Sequence, residues 1–262
     1  MKQIGLIALA LALASAVPAS AEQWSKTYNI SGSPDLRVET TDANIRVDTW
    51  DQKTVEATIT SAHYKIGPGG LQVEEHQAGD VVEINLRFPH NFGVFNLSHR
   101  VDISLHMPRK GRVSLHTGDG KIELANFGGD MDLSSGDGSE DVHGVDGRLR
   151  ATTGDGHIDA DGRFDVLNLK TGDGHLDIRA TTGSTLAEEW MLHTGDGSVK
   201  LEVPEGLAAD LYLRTGDGHI DVNVAMTTEG RIKENEVRGK MNGGGKLVTI
   251  HTGDGSIFLR KG

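Results

Sequence analysis

The stretch "LNLKTGDGHLDI" (167–178) places a Gly-Asp-Gly corner between two runs of alternating apolar and polar residues. Leu167 and Leu169 precede the corner, and Leu176 and Ile178 follow it at the same two-residue spacing. Alternation with a period of two is typical of β-strands, and Gly and Asp favour tight turns. The stretch therefore predicts a strand, a tight turn and a second strand.

The Gly-Asp-Gly motif recurs seven times, with its aspartate at positions 119, 137, 155, 173, 196, 217 and 254. The first three steps are equal, since 137 − 119, 155 − 137 and 173 − 155 are all 18. Thr or Ser stands two residues before each aspartate, and the flanking apolar positions repeat as well. Stacked copies of such a unit would bury columns of like residues about 4.8 Å apart. We therefore predict an all-β, single-stranded β-solenoid of about 18-residue coils with a corner row of Thr and Ser.

The glycines of the motif are expected to serve as structural turns in which the chain needs φ > 0, and the aspartate to tolerate the same conformation. No segment has a sustained helical period, which excludes a helical solenoid. The predicted turn residues are Gly118, Asp119, Gly120, Gly154, Asp155, Gly156, Gly172, Asp173, Gly174, Gly195, Asp196, Gly197, Gly216, Asp217, Gly218, Gly253, Asp254 and Gly255.

Both ends of the repeat are irregular. "LRVETTDANIRV" (36–47) is a degenerate coil that places Asp42 over Asp173, and residues 49–112 predict longer strands that widen or cap the first coils. The loop 89–99 is expected to fold over that end. The polar segment 225–246 is expected to replace a coil or bulge from one, and the final strand to pair with the last edge. The expected organisation is a signal peptide (1–21), an N-terminal β portion (22–112) and the repeat solenoid (113–262).

The N-terminus predicts export. Lys2, an apolar run over 4–17 and "ASA" at 19–21 have the order of a secretory signal peptide cleaved after Ala21. A retained membrane anchor is the alternative, but the run is short for a membrane span and no Cys follows it for lipid attachment. We therefore expect a periplasmic, extracellular or cell-envelope protein without a membrane span after cleavage.

The charge balance limits the partners. The chain contains 38 Asp and Glu against 26 Lys and Arg, for a net charge of −12, and no Cys. An acidic chain without clustered basic residues is a poor binder of nucleic acid. An exported chain without disulfides must be held together by its core and its backbone pairing.

The motifs resemble a known bacterial family. "RVDISLHMPRKGRVSLHTGDGKIEL" (100–124) is similar to the entry into the repeats of the DUF4097 family, also labelled "putative adhesin", and "GRIKENEVRGKMNGGGKLVTIHTGDGSIFL" (230–259) is similar to its end. The resemblance covers roughly residues 36–259. It implies an exported β-solenoid related to the heads of surface adhesins, and no established enzyme activity.

A second interpretation of the corner aspartates is cation binding. Asp119, Asp137, Asp155 and Asp173 would form a column in which neighbouring carboxylates repel by about 0.8 kcal/mol in water. That cost does not require an ion, but it accumulates and makes weak Ca²⁺ binding an alternative. The spacing fits neither a nonapeptide calcium β-roll nor an EF-hand, so the turn interpretation is favoured and no cofactor is expected.

The outward face offers a second metal candidate. His157 would stack near His175, and Asp159 near Asp177, in consecutive coils. Such a group could hold zinc or copper, but a solvated face with cross-strand charge pairs is the favoured interpretation.

The predicted function is therefore non-enzymatic binding. The protein would present a rigid acidic surface to an envelope protein or glycan. The alternative is a β-helix enzyme acting on polysaccharide, although the carboxylates follow the repeat and no G-x-S-x-G elbow is present.

Overall fold

The computed structural model describes residues 21–89, 100–228 and 233–262. Within these ranges the chain forms strands and turns and no helix, so no helix long and apolar enough to cross a membrane is found there. The strands are β1 (Glu22–Asn29), β2 (Asp35–Thr40), β3 (Asn44–Trp50), β4 (Thr54–Ser61), β5 (Gln72–Ala78), β6 (Val81–Arg87), β7 (Val101–Pro108), β8 (Lys110–Thr117), β9 (Ile122–Ala125), β10 (Gly128–Ser135), β11 (Glu140–Thr152), β12 (Ile158–Lys170), β13 (Leu176–Ala180), β14 (Trp190–Thr194), β15 (Val199–Val203), β16 (Ala209–Thr215), β17 (Ile220–Asn223), β18 (Met226–Thr228), β19 (Glu236–Met241), β20 (Leu247–Thr252) and β21 (Ile257–Lys261).

Each coil contributes one strand to each of two facing sheets. The strand before a Gly-Asp-Gly corner lies in sheet A, and the strand after it lies in sheet B. The strands β11 and β12 run from sheet B into sheet A, so their two halves belong to different sheets. Like strands of successive coils pair in parallel, which confirms the predicted β-solenoid.

The order of the strands follows from their pairing. Sheet A runs β5, β6, β2, β8, β10, β11, β12, β14, β20, β16, β19 and β18. Sheet B runs β1, β4, β7, β3, β9, β11, β12, β13, β15, β21 and β17.

The C-terminal coil lies inside the stack, and the prediction that the final strand pairs with the last edge was wrong. The strand β21 pairs with β15 on one side and β17 on the other, and β20 lies between β14 and β16. The last coil of the chain, formed by β20 and β21, therefore lies between the coil of β14 and β15 and the coil of β16 and β17. Repeat spacing alone cannot reveal this, because every coil has a similar sequence.

The N-terminal coils show the same interchange of order. The strands β2 and β3 form the degenerate coil that the sequence predicts, paired with β8 and β9. Beyond it, β6 and β7 form one further coil, since each pairs in parallel with β2 or β3. The antiparallel strands β1, β4 and β5 cap this end. Most of the loop predicted to fold over it, 90–99, lies outside the described residues.

Two strands from the polar segment 225–246, β18 and β19, cap the other end. The segment was expected to replace a coil or bulge from one, but β19 runs antiparallel to β16, and β18 runs antiparallel to β19. An antiparallel pair covers the edge of sheet A without adding a coil, and so protects that edge from other strands.

The core lies between the two sheets. Alternate residues of each strand point inward and form continuous columns, of which Ile122, Ile158, Leu176 and Val199 are fully buried members. Trp190 is also fully buried, and its Nε1 lies 3.4 Å from the carbonyl oxygen of Asp165.

The corner glycines are required for a different reason from the predicted one. None of them has a φ in the left-handed region, and neither do the corner aspartates. Instead, a Cβ at Gly120, Gly138, Gly156 or Gly174 would lie closer than 3.0 Å to the backbone of the preceding coil. Glycine is needed because coil backbones approach each other closely here. Positive φ occurs at the opposite corner, at Asn126 and Gly144.

Candidate binding surfaces of the solenoid

A buried Thr/Ser ladder fixes the Gly-Asp-Gly corners. Thr171 accepts a hydrogen bond from the N–H of Gly174 in its own corner and donates one to the carbonyl oxygen of Gly156 in the preceding coil. The same donation joins the other Gly-Asp-Gly coils, and the Thr and Ser side chains form the corner row that the sequence predicts. Its donors are Thr117, Ser135, Thr153, Thr194, Thr215 and Thr252. The corners are thereby locked into a single column, so the outward residues beside them are held in register.

The corner aspartates form an exposed column along this edge. All seven side chains are exposed. At several corners the backbone N–H of the aspartate donates a hydrogen bond to the neighbouring coil. Asp217 donates to the carbonyl oxygen of Gly253, and Asp119 donates to that of Thr41. Among the described residues, no group of three or more His, Asp or Glu side chains has an arrangement that could hold a metal ion. Their Ca²⁺ binding stays a prediction.

The histidine and aspartate pairs of sheet B lie in adjacent coils, as predicted. Asp159 is in register with Asp177. The backbone N–H of Ile158, the residue after His157, donates to the carbonyl oxygen of His175. The imidazoles of His157 and His175, however, make different contacts. Nδ1 of His175 accepts from the N–H of Ser198, whereas Nε2 of His157 lies 3.8 Å from Asp141. The four side chains therefore do not converge on one point.

Sheet B carries an acidic column next to these histidines. Glu123, Asp141, Asp159 and Asp177 stand in register on neighbouring strands. Partial burial raises the pKa of Asp159, with repulsion from Asp177 as a further cause. Lysines pair with the column at its two ends, through Lys121 with Glu123 and Asp141 and through Lys200 with Asp177. These pairs offset much of the repulsion and support a solvated charged face.

The structure also brings together one pair with nucleophilic chemistry. Ser256 Oγ lies 3.0 Å from Nδ1 of His219, both on exposed positions. A serine nucleophile needs a carboxylate that orients its histidine. The neighbouring Asp221 is instead engaged by Arg260 at 2.6 Å. The pair is thus a hydrogen bond between coils without the third member of a catalytic triad.

Grooves on the sheet faces are lined by paired charges. One groove of about 510 Å³ on sheet A contains four arginines, Arg37, Arg112, Arg148 and Arg150. Arg112 pairs with Asp130, and Arg148 and Arg150 both approach Glu188. Carboxylates thus offset the charge of its arginines.

A different arrangement occurs on the C-terminal half of sheet A. Four basic residues, Lys170, His193, His251 and Arg214, stand in register on the adjacent strands β12, β14, β20 and β16. We call them the basic ladder. The imidazoles of His193 and His251 stack with centroids 5.1 Å apart and an interplanar angle of 6°, and their Nδ1 atoms are 3.1 Å apart.

The basic ladder holds uncompensated charge. Burial lowers the pKa of His193, and repulsion from His251 and Lys170 lowers it further. In the ranges that the structure describes, neither Lys170 nor Arg214 makes an ion pair, whereas the other arginines described there do. The nearest acid in register is Glu236, opposite Arg214, and it already pairs with Lys233 and Arg238.

Sequence reasoning missed the basic ladder, although a signal was present. The residue directly before Thr-Gly-Asp-Gly is basic at His116, Lys170, His193, Arg214 and His251. The order of the ladder residues in space could not be inferred from the sequence, because the last coil of the chain lies between two earlier ones.

One carboxyl group lies in the core. Glu140 occupies the apolar column between Ile122 and Ile158 and is fully buried. Neither of its carboxylate oxygens makes a hydrogen bond, and burial raises its pKa to about 8. At neutral pH the side chain is therefore mostly protonated and neutral.

Several solved structures are similar over nearly their whole length, at low identity. A "putative cell adhesion protein" from Clostridium sporogenes is 13% identical with a TM-score of 0.47, and covers 93% of this chain and 100% of its own. A "putative adhesin" from Bacteroides fragilis is 13% identical with a TM-score of 0.46, covering 92% and 98%. A "putative lipid binding protein" from Parabacteroides distasonis is 13% identical with a TM-score of 0.46, covering 91% and 96%. No curated protein matches the chain.

The family assignment comes from the sequence comparison. The family model described as Toastrack DUF4097 matches residues 93–260, which is more than half of the chain and contains all seven Gly-Asp-Gly corners. This match agrees with the resemblance of residues 100–124 and 230–259 to the same family. The chain therefore belongs to the Toastrack DUF4097 family.

Proposed function

We propose that the protein is an exported, non-enzymatic binding protein of the cell envelope, whose rigid solenoid presents ordered polar side chains to an envelope protein or glycan. The observation that carries this proposal is the register of the outward residues. Each Gly-Asp-Gly coil is joined to its neighbour by backbone pairing on both sheets and by the Thr/Ser ladder at the corner. Side chains on such a scaffold are pre-organised, which lowers the entropy cost of binding an extended partner.

Export is supported by the position of the first described strand. This strand, β1, begins at Glu22, directly after the expected cleavage site at Ala21. Cleavage there would leave the capping strand whole. N-terminal sequencing of the protein recovered from the envelope fraction should begin at Glu22, and an uncleaved N-terminus would contradict the proposal.

The charged surfaces favour binding over catalysis. Outward carboxylates follow the repeat, and many are paired with Lys or Arg, as Glu202 is with Arg179 and Lys200. A glycoside hydrolase needs two carboxyl groups that flank one bond and differ in protonation. The group whose pKa is raised to about 8, Glu140, is sealed in the core and cannot reach a substrate.

A sedimentation assay tests this function. The purified mature chain is mixed with envelope fragments, and the bound fraction is measured against protein concentration, with fragments treated by protease or by periodate as separate arms. Saturable binding that one treatment removes is expected, without release of new reducing ends. Absence of saturable binding would overturn the binding role, and release of reducing ends would support the polysaccharide enzyme instead.

We also propose that the fold needs no cofactor. The corner carboxylates are exposed and spread along an edge, so the solenoid does not depend on an ion to neutralise them. The thermal midpoint should be the same in EDTA and in excess Ca²⁺. A higher midpoint in Ca²⁺ would instead indicate cation binding to the native state.

A further inference from the structure

We propose that the basic ladder of Lys170, His193, His251 and Arg214 is a binding site for a linear acidic polysaccharide. This inference rests on the proposed envelope-binding function and specifies its ligand. Four basic side chains on a chain of net charge −12 are unusual, and they are collected from coils that are distant in sequence.

The spacing of the ladder fits a polymer. Adjacent members are one strand spacing apart, about 4.8 Å, so the four span roughly 14 Å along the solenoid axis. A polysaccharide with one carboxylate per sugar carries negative charges at a regular interval of similar length. Such a chain would lie across the strands and meet the basic side chains in succession.

The charged side chains of the ladder favour an anion over a metal ion. Two Nδ1 atoms 3.1 Å apart could act as a ligand pair, but Lys170 and Arg214 flank them and would repel a cation. Because these two side chains make no ion pair among the described residues, an anion can bind them without first displacing a carboxylate.

The neighbouring outward column suits a sugar. Met191, Thr249 and Tyr212 stand in register beside the ladder. Met191 is 44% exposed, and among the described residues it is the large hydrophobic side chain that is classed as exposed. The ring of Tyr212 lies under Arg238, with the guanidinium 4.7 Å from its centroid. The exposed side chain of Met191 can contact the ring of a sugar while the cations hold its carboxylate.

Binding should depend on pH through His193. Its Nδ1 lies 3.1 Å from that of His251 and it stands in register with Lys170, so protonating His193 places a positive charge beside Lys170. A bound carboxylate offsets that repulsion, so the ligand and the protons favour each other's binding.

Other charged groups lie around the ladder. Glu236 and Arg238 lie beyond Arg214 on β19, and Glu189 accepts from Thr249. The corner aspartates Asp196 and Asp254 lie three residues after His193 and His251, in the corners that follow β14 and β20. These aspartates disfavour an anion placed at the corner itself, so the ligand is expected over the ladder and the Met191 column.

The test uses fluorescently labelled tetragalacturonate and the mature chain, with anisotropy as the readout. An uncharged oligosaccharide and a tetraglutamate peptide of the same length are the comparison probes. The double variant Lys170→Gln with Arg214→Gln should bind tetragalacturonate at least about tenfold more weakly, since it loses two charge-assisted contacts. The control Lys53→Gln with Lys110→Gln removes two exposed lysines elsewhere and should leave affinity unchanged. Wild-type affinity should rise as the pH falls from about 8 to about 5.5.

The outcomes separate this inference from the proposed function. Equal affinity of the ladder variant and the wild type, or equal binding of the uncharged sugar, would overturn the ladder as an acidic-polysaccharide site. Tighter binding of tetraglutamate than of tetragalacturonate would assign it to an acidic protein instead. If the ladder variant still sediments with envelope fragments as the wild type does, the inference fails while the proposed function stands. All variants should keep the wild-type thermal midpoint, because their side chains are exposed or half-buried.

Discussion

The hydroxyl of Thr171 donates to the carbonyl oxygen of Gly156 at 2.8 Å, across the boundary between two coils. Because Thr171 also accepts from the N–H of Gly174, its hydroxyl satisfies two buried backbone groups at once. Thr171→Val keeps the shape of the side chain but leaves both groups without this partner. We expect a loss of about 1–3 kcal/mol in the free energy of unfolding, measured by urea denaturation.

The matched variants for this prediction are Thr171→Ser and Thr152→Val. Serine retains the hydroxyl, as Ser135 does in the same ladder, and should recover most of the loss. Thr152 is an exposed threonine on the outer face, so its substitution by valine should be nearly neutral. An equal loss at positions 152 and 171 would show that the ladder hydrogen bonds contribute nothing specific.

Close approach of the coils predicts which glycines can be replaced. A Cβ at Gly156 would lie closer than 3.0 Å to the carbonyl oxygen of Gly138 and to the hydroxyl of Thr153. Gly156→Ala should therefore destabilise by about 1–3 kcal/mol or more, because the coils must separate. At Gly206 nothing lies within 4 Å and φ is not left-handed. Gly206→Ala should be neutral or slightly stabilising, as the thermal midpoints of the two variants would reveal.

The regular part of the fold and the degenerate first coil were predictable, and the place of the last coil was not. The alternation around Leu169 and Ile178 determines which residues face the core, since the period of a strand is two. The position of each coil in the stack depends on pairing between similar coils, and "IHTGDGSIFL" (250–259) could pair with any of them. The interior place of β21, between β15 and β17, therefore emerges only in three dimensions.

The same limit applies to the candidate sites. The proximity of Asp159 to Asp177 follows from consecutive coils of equal length, and the sequence predicted it. The stacking of His193 on His251 joins residues 58 positions apart and depends on the inserted coil. The role of glycine at the corners was also misjudged, because sequence does not distinguish a need for positive φ from a need for close backbone approach.

The interior place of the last coil predicts an unequal response to truncation. Ile257 is fully buried between neighbours on both sides, whereas Val222 lies on the edge strand β17 and is half-buried. Ile257→Ala should cost about 2–5 kcal/mol, and Val222→Ala less than half of that. Deletion of residues 247–262 should abolish a single cooperative unfolding transition, since it separates β14 from β16. A deletion variant with a wild-type transition would mean that the last coil is peripheral.

Glu140 makes stability depend on pH in a direction that can be measured. Its pKa is about 8 in the folded protein against 4.5 ordinarily, so the native state holds a proton that the unfolded state has released over this range. The contribution of Glu140 to the free energy of unfolding therefore falls as pH rises from 4.5 to about 8, by about 3 kcal/mol at pH 7. Glu140→Gln does not ionise, so its stability relative to the wild type should grow across this window and level off above it. Glu39→Gln, at an exposed position, should show a difference that does not change with pH. If the difference for Glu140→Gln were also constant between pH 4.5 and 8, the carboxyl group would be hydrated in the native protein and the buried column between Ile122 and Ile158 would be open to water.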